Sequence, residues 1–183
     1  MDKVKKAEGH HSACHSLFPG AYWFELWLIG TMATATSQER QREFVTQFSV
    51  FTDNRLGRLH ELIGLLSSRT VHILALTVLD TTDSAIIRIV VDDPDMARSL
   101  LLDHGFAFTQ SRLLVVELDS ATNLSSLMAA LLQADINVHY LYSFIPHPGG
   151  KSLIALSIED SELAEQALRQ QNFRVLRQAD ISR

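Results

Sequence analysis

Cysteine is nearly absent from this chain: Cys14 is the single one among 183 residues. No disulfide can form within the chain, and a lone thiol fits a reducing compartment. Long apolar runs are missing too. The bulkiest stretch, LFPGAYWFELWLIG at 17–30, is broken by Pro19, Gly20 and Glu25 and falls short of the roughly 20 residues a spanning helix needs. Excess positive charge is lacking, since 16 Lys and Arg against 21 Asp and Glu leave a net charge of −5. That balance speaks against a nucleic-acid backbone as partner. No glycine-rich Lys-Ser/Thr loop is present to cradle a phosphate. The histidines at 60, 72, 104, 139 and 147 are scattered and share no motif with a carboxylate or a nucleophile. Nothing therefore marks an enzyme, and no cofactor is expected.

The hydrophobic fraction of 46% and charged fraction of 20% suit a globular chain with a real core. The first 43 residues stand apart. Residues 1–16 are polar and carry His10, His11, Cys14 and His15. Imidazole and thiolate suit zinc or copper, but a structural zinc site draws its ligands from two separated pairs. These four crowd into six positions, so a tail without metal is the expectation. Lys3, Lys5 and Lys6 followed by Ala33-Thr34-Ala35 supply the ends of a secretion signal, and Glu25 in its middle argues against one. Residues 1–43 read as a disordered tail, or as a mis-assigned start with Met32 as the first residue. A cytoplasmic location is expected.

From Phe44 the patterns become regular. FVTQFSVF (44–51) is strand-like and runs into the turn Asp53-Asn54-Arg55-Leu56-Gly57. Leu59, Leu62, Ile63 and Leu66 follow at helical spacing. HILALTVLD (72–80) and AIIRIVVDD (85–93) read as a hairpin. Pro94 opens a second helix with Met96, Ala97, Leu100 and Leu101 on its apolar face, and Gly105 closes it before the strand FAFTQSRL. The order is β-α-β-β-α-β, and it repeats. LLVVELD (113–119) is a strand, Leu124, Leu127, Met128, Leu131 and Leu132 form a helical stripe, and NVHYLYSFI with SLIALSIED is a hairpin. A helix bearing Leu163, Ala164, Ala167 and Leu168 and the strand FRVLR finish the unit. Leu59 to Val71 spans twelve residues, as does Leu124 to Ile136, and Asp93 and Asp160 open equivalent helices. The offset between units is 65 residues early and 67 late, the longer second hairpin making the difference.

In this setting the run Asp53-Asn54-x-x-Gly57-x-Leu59 between strand and helix resembles the ligand loop of ACT domains. Val71-His72-Ile73, Asp92-Asp93-Pro94, Gly105-Phe106 and Ala134-Asp135-Ile136-Asn137-Val138 fit the same family. The resemblance covers about residues 44–180 and implies an α+β fold. Two ferredoxin-like units stand in tandem, at 44–112 and 113–183, with antiparallel sheets and helices on one face of each. It also implies a non-catalytic regulatory protein that binds an amino acid or similar zwitterion at Asp53, Asn54, Leu56, Gly57, Arg58 and Leu59. A weaker second site falls at Ser120, Ala121, Thr122 and Asn123, where the loop has no glycine. Leu56 stands where the family usually has proline. The rival expectation is an adaptor or regulatory subunit that controls a metabolic enzyme without a ligand of its own.

The physical case for the loop does not need the family. A helix N-terminus leaves backbone N–H groups unpaired beside a partial positive charge, a fit for a carboxylate. Asp53 and Asn54 offer acceptors for an ammonium group. An ordinary capped turn has the same ingredients. The strands add one more expectation. His72, Leu74, Leu76 and Val78 alternate with Ile73, Ala75, Thr77 and Leu79, and Val138, Tyr140, Tyr142 and Phe144 make a stripe in the second unit. Neither sheet has a clearly polar face, so a second cover is needed. The other unit or a second chain can provide it, and a homodimer is expected. Arg88, the charge within IIRIVV, reads as an exposed strand residue or as a contact for a carboxylate.

Because every recognisable unit begins after residue 43, a chain that starts at Met32 is expected to melt at the same temperature as the full chain. A large loss of thermal stability on removing residues 1–31 contradicts that reading.

Overall fold

A computed structural model describes residues 43–80, 83–120, 123–145 and 150–182. The expected tail up to residue 42, its His and Cys cluster, and two members of the second loop, Ala121 and Thr122, lie outside the described residues.

The first unit is β1 (Val45–Asp53), α1 (Arg58–Ser67), β2 (Ile73–Asp80), β3 (Ser84–Val91), α2 (Pro94–Asp103) and β4 (Ala107–Leu118). The second continues with α3 (Asn123–Gln133), β5 (Val138–Ser143), β6 (Ser152–Ile158), α4 (Ser161–Gln170), β7 (Arg174–Leu176) and a short α5 (Gln178–Ile181). FAFTQSRL and LLVVELD, expected as two strands, form the single strand β4. Its first half pairs antiparallel with β1, from Ala107 opposite Phe51 to Leu113 opposite Val45. Its second half pairs with β6 over Leu114–Leu118 and with β7 over Val115–Glu117. The boundary expected between Arg112 and Leu113 falls inside this strand. All the described strands belong to one sheet in the order β2-β3-β1-β4-β6-β5, with β7 also on β4.

The helix ends show the duplication in the backbone. Thr70, Gly105, Asp135 and Asn172, each just past a helix, have φ of 57°, 69°, 56° and 63°. The N–H of the following residue donates back five positions in all four cases: Val71 to Leu66, Phe106 to Leu101, Ile136 to Leu131 and Phe173 to Leu168. This bond closes a left-handed helix cap and turns the chain straight into a strand. Three of the four positions are not glycine, so only Gly105 was legible as a cap. At the opposite ends of α2 and α4, Asp93 accepts from the Met96 N–H, and Asp160 accepts from Glu162 and Leu163.

Two apolar layers lie between helices and strands. Phe48, Val50, Ile87, Ile89 and Val91 pack under Leu62, Leu66, Ala97 and Leu101. Leu114, Val116, Leu156 and Ile158 pack under Leu127, Leu131, Ala164 and Leu168. A third core joins the helix-free faces of the two units: Val45, Leu74, Ala75, Val90, Leu113 and Val115 meet Tyr142, Phe144, Ala155 and Leu176. The second cover is thus the other unit of the same chain. The faces that argued for a homodimer cover one another within the chain, so that argument no longer calls for a second copy. The margin opposite β4 closes as well, by a bridge between Ala75 and Phe144 and an Ile145 N–H bond to the Leu74 carbonyl at 2.8 Å. Simple alternation fails at two places for one cause. Bulges between Ile73 and Ala75 and between Val138 and Tyr140 shift the pleat. Leu74 and Ala75 therefore both reach the inner core, and Val138 joins the outer one.

The inner core holds one polar cluster. Gln47 is fully buried. Its Nε2, with two N–H donors, lies within 3.1 Å of the hydroxyls of Tyr140, Ser49 and Ser111, and its Oε1 accepts from the Tyr142 hydroxyl at 2.8 Å. Arg88 is half-buried rather than exposed, its guanidinium lies 3.9 Å from the centre of the Tyr140 ring, and no carboxylate among the described residues pairs with it. Burial first, and then Tyr140, push the Tyr142 phenol above its ordinary pKa, with Arg88 acting against them.

Removing one partner of a buried bond leaves the other unsatisfied at a cost of about 1–3 kcal/mol. Tyr142→Phe should therefore lower the melting temperature, at roughly 2–4 °C per kcal/mol for a chain of this length. The raised phenol also fixes a pH dependence. The folded state disfavours the phenolate, so this contribution is whole below the free-tyrosine pKa of about 10 and declines as pH rises beyond it. Denaturant melts from pH 8 to pH 11 should show a steeper alkaline decline in the parent than in Tyr142→Phe. Equal declines and equal melting temperatures contradict this account.

Candidate functional site

The β1–α1 loop is built around one left-handed residue. Gly57 has φ +91° and ψ −16° and occupies the N-cap of α1 with no side chain capping the helix. A left-handed N-cap suits glycine because a Cβ strains that conformation. Its carbonyl accepts from Glu61, and the Arg58 N–H reaches the Arg55 carbonyl at 3.3 Å. Among the described residues no hydrogen bond engages the N–H groups of Leu59 and His60. A Cβ built on Gly57 would meet no atom within 4 Å, so the space beside Gly57 itself is open.

The flanking residues divide into two sets. The Asn54 N–H donates to the Asp83 carbonyl at 3.2 Å, and its side-chain amide donates to Asp80 at 2.6 Å, which fastens the loop to the β2–β3 hairpin. Asp53 lies 3.6 Å from the Arg55 guanidinium. Arg58 reaches back along the strand: its Nε donates to Thr52 Oγ1, its Nη1 meets Glu61 at 2.6 Å, and its guanidinium lies 5.2 Å from the centre of the Phe106 ring. Leu56 is fully exposed, and Leu59 is exposed on the first turn of α1. The expected residues are thus together at one strand-to-helix corner, with Asn54 engaged in holding the loop rather than pointing outward alone.

The second loop differs. Asn123 begins α3, its N–H donates to the Ser120 carbonyl, and the Ser120 hydroxyl donates to its side-chain oxygen. A cavity of about 580 Å³ lies beside this loop, lined in part by Asn123, Glu117, Lys151 and Arg174. Lys151 contacts Glu117 at 2.6 Å and Asp119 at 2.9 Å, and Arg174 contacts Glu117 at 3.2 Å. The hydrogen bond to Glu117, and then that to Asp119, hold the Lys151 ammonium above its ordinary pKa. Sequence reading missed this charged cluster. The signal was Glu117 itself, the one charge inside the apolar run LLVVEL.

Elsewhere, His72 Nδ1 lies 2.7 Å from the buried Asp92 carboxylate, which also accepts the His72 N–H. With its ring half exposed, His72 pins the entry of β2 to the exit of β3. Among the described residues no group of three or more His, Cys, Asp or Glu is placed to hold a metal ion. No described helix is long and apolar enough to cross a membrane.

The family model of the ACT domain pair matches residues 44–183, the stretch that holds both units. The chain belongs to the ACT domain pair family. ACT domains are regulatory rather than catalytic, typically as ligand-binding regulators. Solved structures carry the same fold. A protein of Bacteroides thetaiotaomicron is 23% identical, covering 75% of this chain and 95% of its own, with a TM-score of 0.70. The ligand-free regulatory subunit of aspartate kinase from Thermus thermophilus is 16% identical, covering 69% and 89%, with a TM-score of 0.50. No curated protein matches this ACT domain pair.

Gly57→Ala should cost about 1 kcal/mol or more through the left-handed φ alone, since the space is open. Urea melts of Gly57→Ala and of Gly64→Ala, a glycine inside α1 with equally open surroundings, should move in opposite directions, because alanine favours a helix interior. Matching shifts contradict the strained-cap reading.

Proposed function

We propose that this ACT domain pair is a non-catalytic regulator that holds an amino acid at the β1–α1 loop of its first unit. The observation that carries the reading is the helix N-terminus at Gly57 that no side chain caps, with the Leu59 and His60 N–H groups unengaged among the described residues. A carboxylate suits those donors and the partial positive charge behind them. The Asp53 carboxylate, on the exposed side of the same corner, suits an ammonium group. The second loop, where Ser120 and Asn123 bond to each other, is the weaker site.

A regulatory subunit or adaptor acting on a metabolic enzyme is the second reading, and one feature favours it. Phe51 and Leu79 flank Ile86 in adjacent paired strands and so share a face. Phe51 and Leu79 are more than 40% exposed, which leaves apolar surface for another protein or a second copy.

A thermal-shift screen of the proteinogenic amino acids tests the first reading. Ligand at a hundred-fold excess over Kd adds about 2.7 kcal/mol, a rise of roughly 5–10 °C at this chain length. Gly57→Val should abolish the rise, and Asn123→Val should retain most of it. Melting without ligand reports the strain of each substitution separately. If no amino acid shifts the parent protein, the sensor reading fails. Light scattering at micromolar concentration bears on the second reading, where a species well above the 20.5 kDa of one chain is the expected sign of self-association.

A further inference from the structure

Charge is spread unevenly along this chain. One residue in five is charged overall, yet between Asp119 and Lys151 the sequence holds a single formally charged side chain, Asp135. That stretch forms α3 and β5. A helix with one face in water ordinarily carries charges there, as α1, α2 and α4 do with Glu61, Arg98 and Glu162. α3 has none. Its water-facing side shows Leu132 at 79% exposed and Leu124 at 36%, beside half-buried Met128 and the small, exposed Ser125 and Ala129.

The leucines point to the edge of the sheet. Ser126, on one flank of α3, lines a cavity with Gln171, Asn172 and Phe173 just past α4, and α4 lies against β4 and β7. Leu124, Met128 and Leu132 recur every four residues on the opposite flank, which looks toward β5, the outermost strand. There Leu141 stands directly opposite Leu156 of the helix-side core, so it points to the same side as α3. Leu141 is 42% exposed. The backbone is open in the same place: along Val138–Ser143 the strand pairs with β6 alone among the described strands. The Phe144 N–H donates to the Leu153 carbonyl, and bonded pairs alternate along an antiparallel ladder. Leu141 and Ser143 therefore turn their N–H and C=O groups away from β6, to the free edge. Asp135 stands apart from the patch, lining a cavity with Arg112, Glu159 and Glu162 at the start of α4.

We propose that this α3–β5 edge of the second unit is where the chain joins a second copy of itself, β5 antiparallel to β5 across a two-fold axis and α3 beside α3. A two-fold contact sets a surface against itself, so any charge on it meets a like charge. A patch without charge escapes that repulsion. Recognition of an unlike partner draws on charges of opposite sign, and this patch offers none. The free strand edge is self-complementary as well: an antiparallel copy centred on Leu141 presents the same N–H and C=O groups in reverse order. Ser125 and Ala129 are small enough to let two helices come close. The equivalent edge of the first unit lacks these features, because α1 carries Arg58 and Glu61 and Asp80 ends β2. The patch shares no residue with the 53–59 loop or with the Phe51–Leu79 face, and the inference stands apart from both readings above.

The test is light scattering of the full chain across the micromolar range, with amide hydrogen exchange on the same samples. A mass about twice the 20.5 kDa of one chain is expected as concentration rises, with slower exchange of the Leu141 and Ser143 amides in the dimer. Leu132→Glu sets a charge beside its own copy and should weaken the dimer about thirtyfold or more, the scale of a central interface contact. Leu132 is exposed in the single chain, so the fold should stay intact, as circular dichroism reports. Ala129→Glu, at another exposed helix position, should act in the same way and serves if Leu132→Glu fails to fold. Leu79→Glu, on the open face of the first unit, should leave the dimer as it is. The inference is overturned by a single-chain mass at every concentration, by a dimer that survives both Leu132→Glu and Ala129→Glu, or by a dimer that Leu79→Glu alone breaks. The last result places self-association on the Phe51–Leu79 face instead.

Discussion

The structure depends on a sheet face that its own helices cannot cover. Each βαββαβ unit places both long helices on one side, so the other side of its strands faces outward with Val45, Val90, Leu113 or Tyr142, Phe144 and Ala155 on it. Apolar surface of that kind cannot stay in water at ordinary stability. The two units answer the problem by facing each other. β4 runs unbroken from the strands of one unit into those of the next, which fixes their register at one margin, and the contact between Ala75 and Phe144 fixes it at the other. Gln178 adds a third tie at the end of the chain: its side chain accepts from the Thr46 N–H and donates to the Val91 carbonyl, while its own N–H donates to the Glu43 carbonyl. One buried residue thus joins the start of β1, the end of β3 and the last helix.

Apolar contact alone is permissive about register, because Val, Leu and Ala surfaces slide over one another at little cost. The Gln47 cluster is not permissive. A buried amide must place both its oxygen and its nitrogen on partners, and here those partners are tyrosines from the opposite unit together with Ser49 and Ser111 from its own. A slip of one residue along β1 puts Gln47 into the helix-side layer and leaves Tyr142 buried without an acceptor. The cluster therefore specifies how the two sheets face, in the same way that β4 specifies where they join.

Much of this was legible before the fold was known, and the reasons are local. Helix stripes such as Leu62–Leu66 and Leu127–Leu131 obey a fixed period, and Asp93 and Asp160 are side chains whose capping chemistry is short-range. The repeat supplied the topology, since a unit read twice carries more weight than a unit read once. The illegible parts are those in which tertiary context decides. FAFTQSRL and LLVVELD read as two strands because each is as long as an ordinary strand, and nothing in twelve extended residues says which partner each half will find. The bulges at Leu74 and His139 carry no glycine and break the alternation without a local sign. Arg88 had no readable role because its partner, Tyr140, lies in the other unit. For the proposed loop site, Gly57 was readable as a special backbone position. The commitment of the Asn54 amide to Asp80, and the turn of Arg58 toward Thr52 and Phe106, were not.

Duplication leaves two copies of each local device, and the copies have diverged where function is proposed to lie. The helix C-terminal caps are kept in all four places although the residues differ, because a left-handed turn into a strand is a requirement of the fold. The β-to-α loops are under no such common requirement. One opens its helix with glycine and, among the described residues, leaves the Leu59 and His60 N–H groups without a bond, whereas in the other Ser120 and Asn123 bond to each other. The charge is distributed in the opposite sense. At the end of the β1 loop Asp53 and Arg55 are exposed ions in water, where an ion pair is worth little. At the corresponding end of β4, Glu117 is nearly enclosed and draws Lys151 and Arg174 to it. A carboxylate held in a partly dry place keeps more of its pull on a cation than one in open solvent. Within one fold, then, the first unit offers backbone donors at a bare helix end, and the second pairs its charges around one sheltered carboxylate. These are different chemistries, and they explain why two units of the same topology need not share one role.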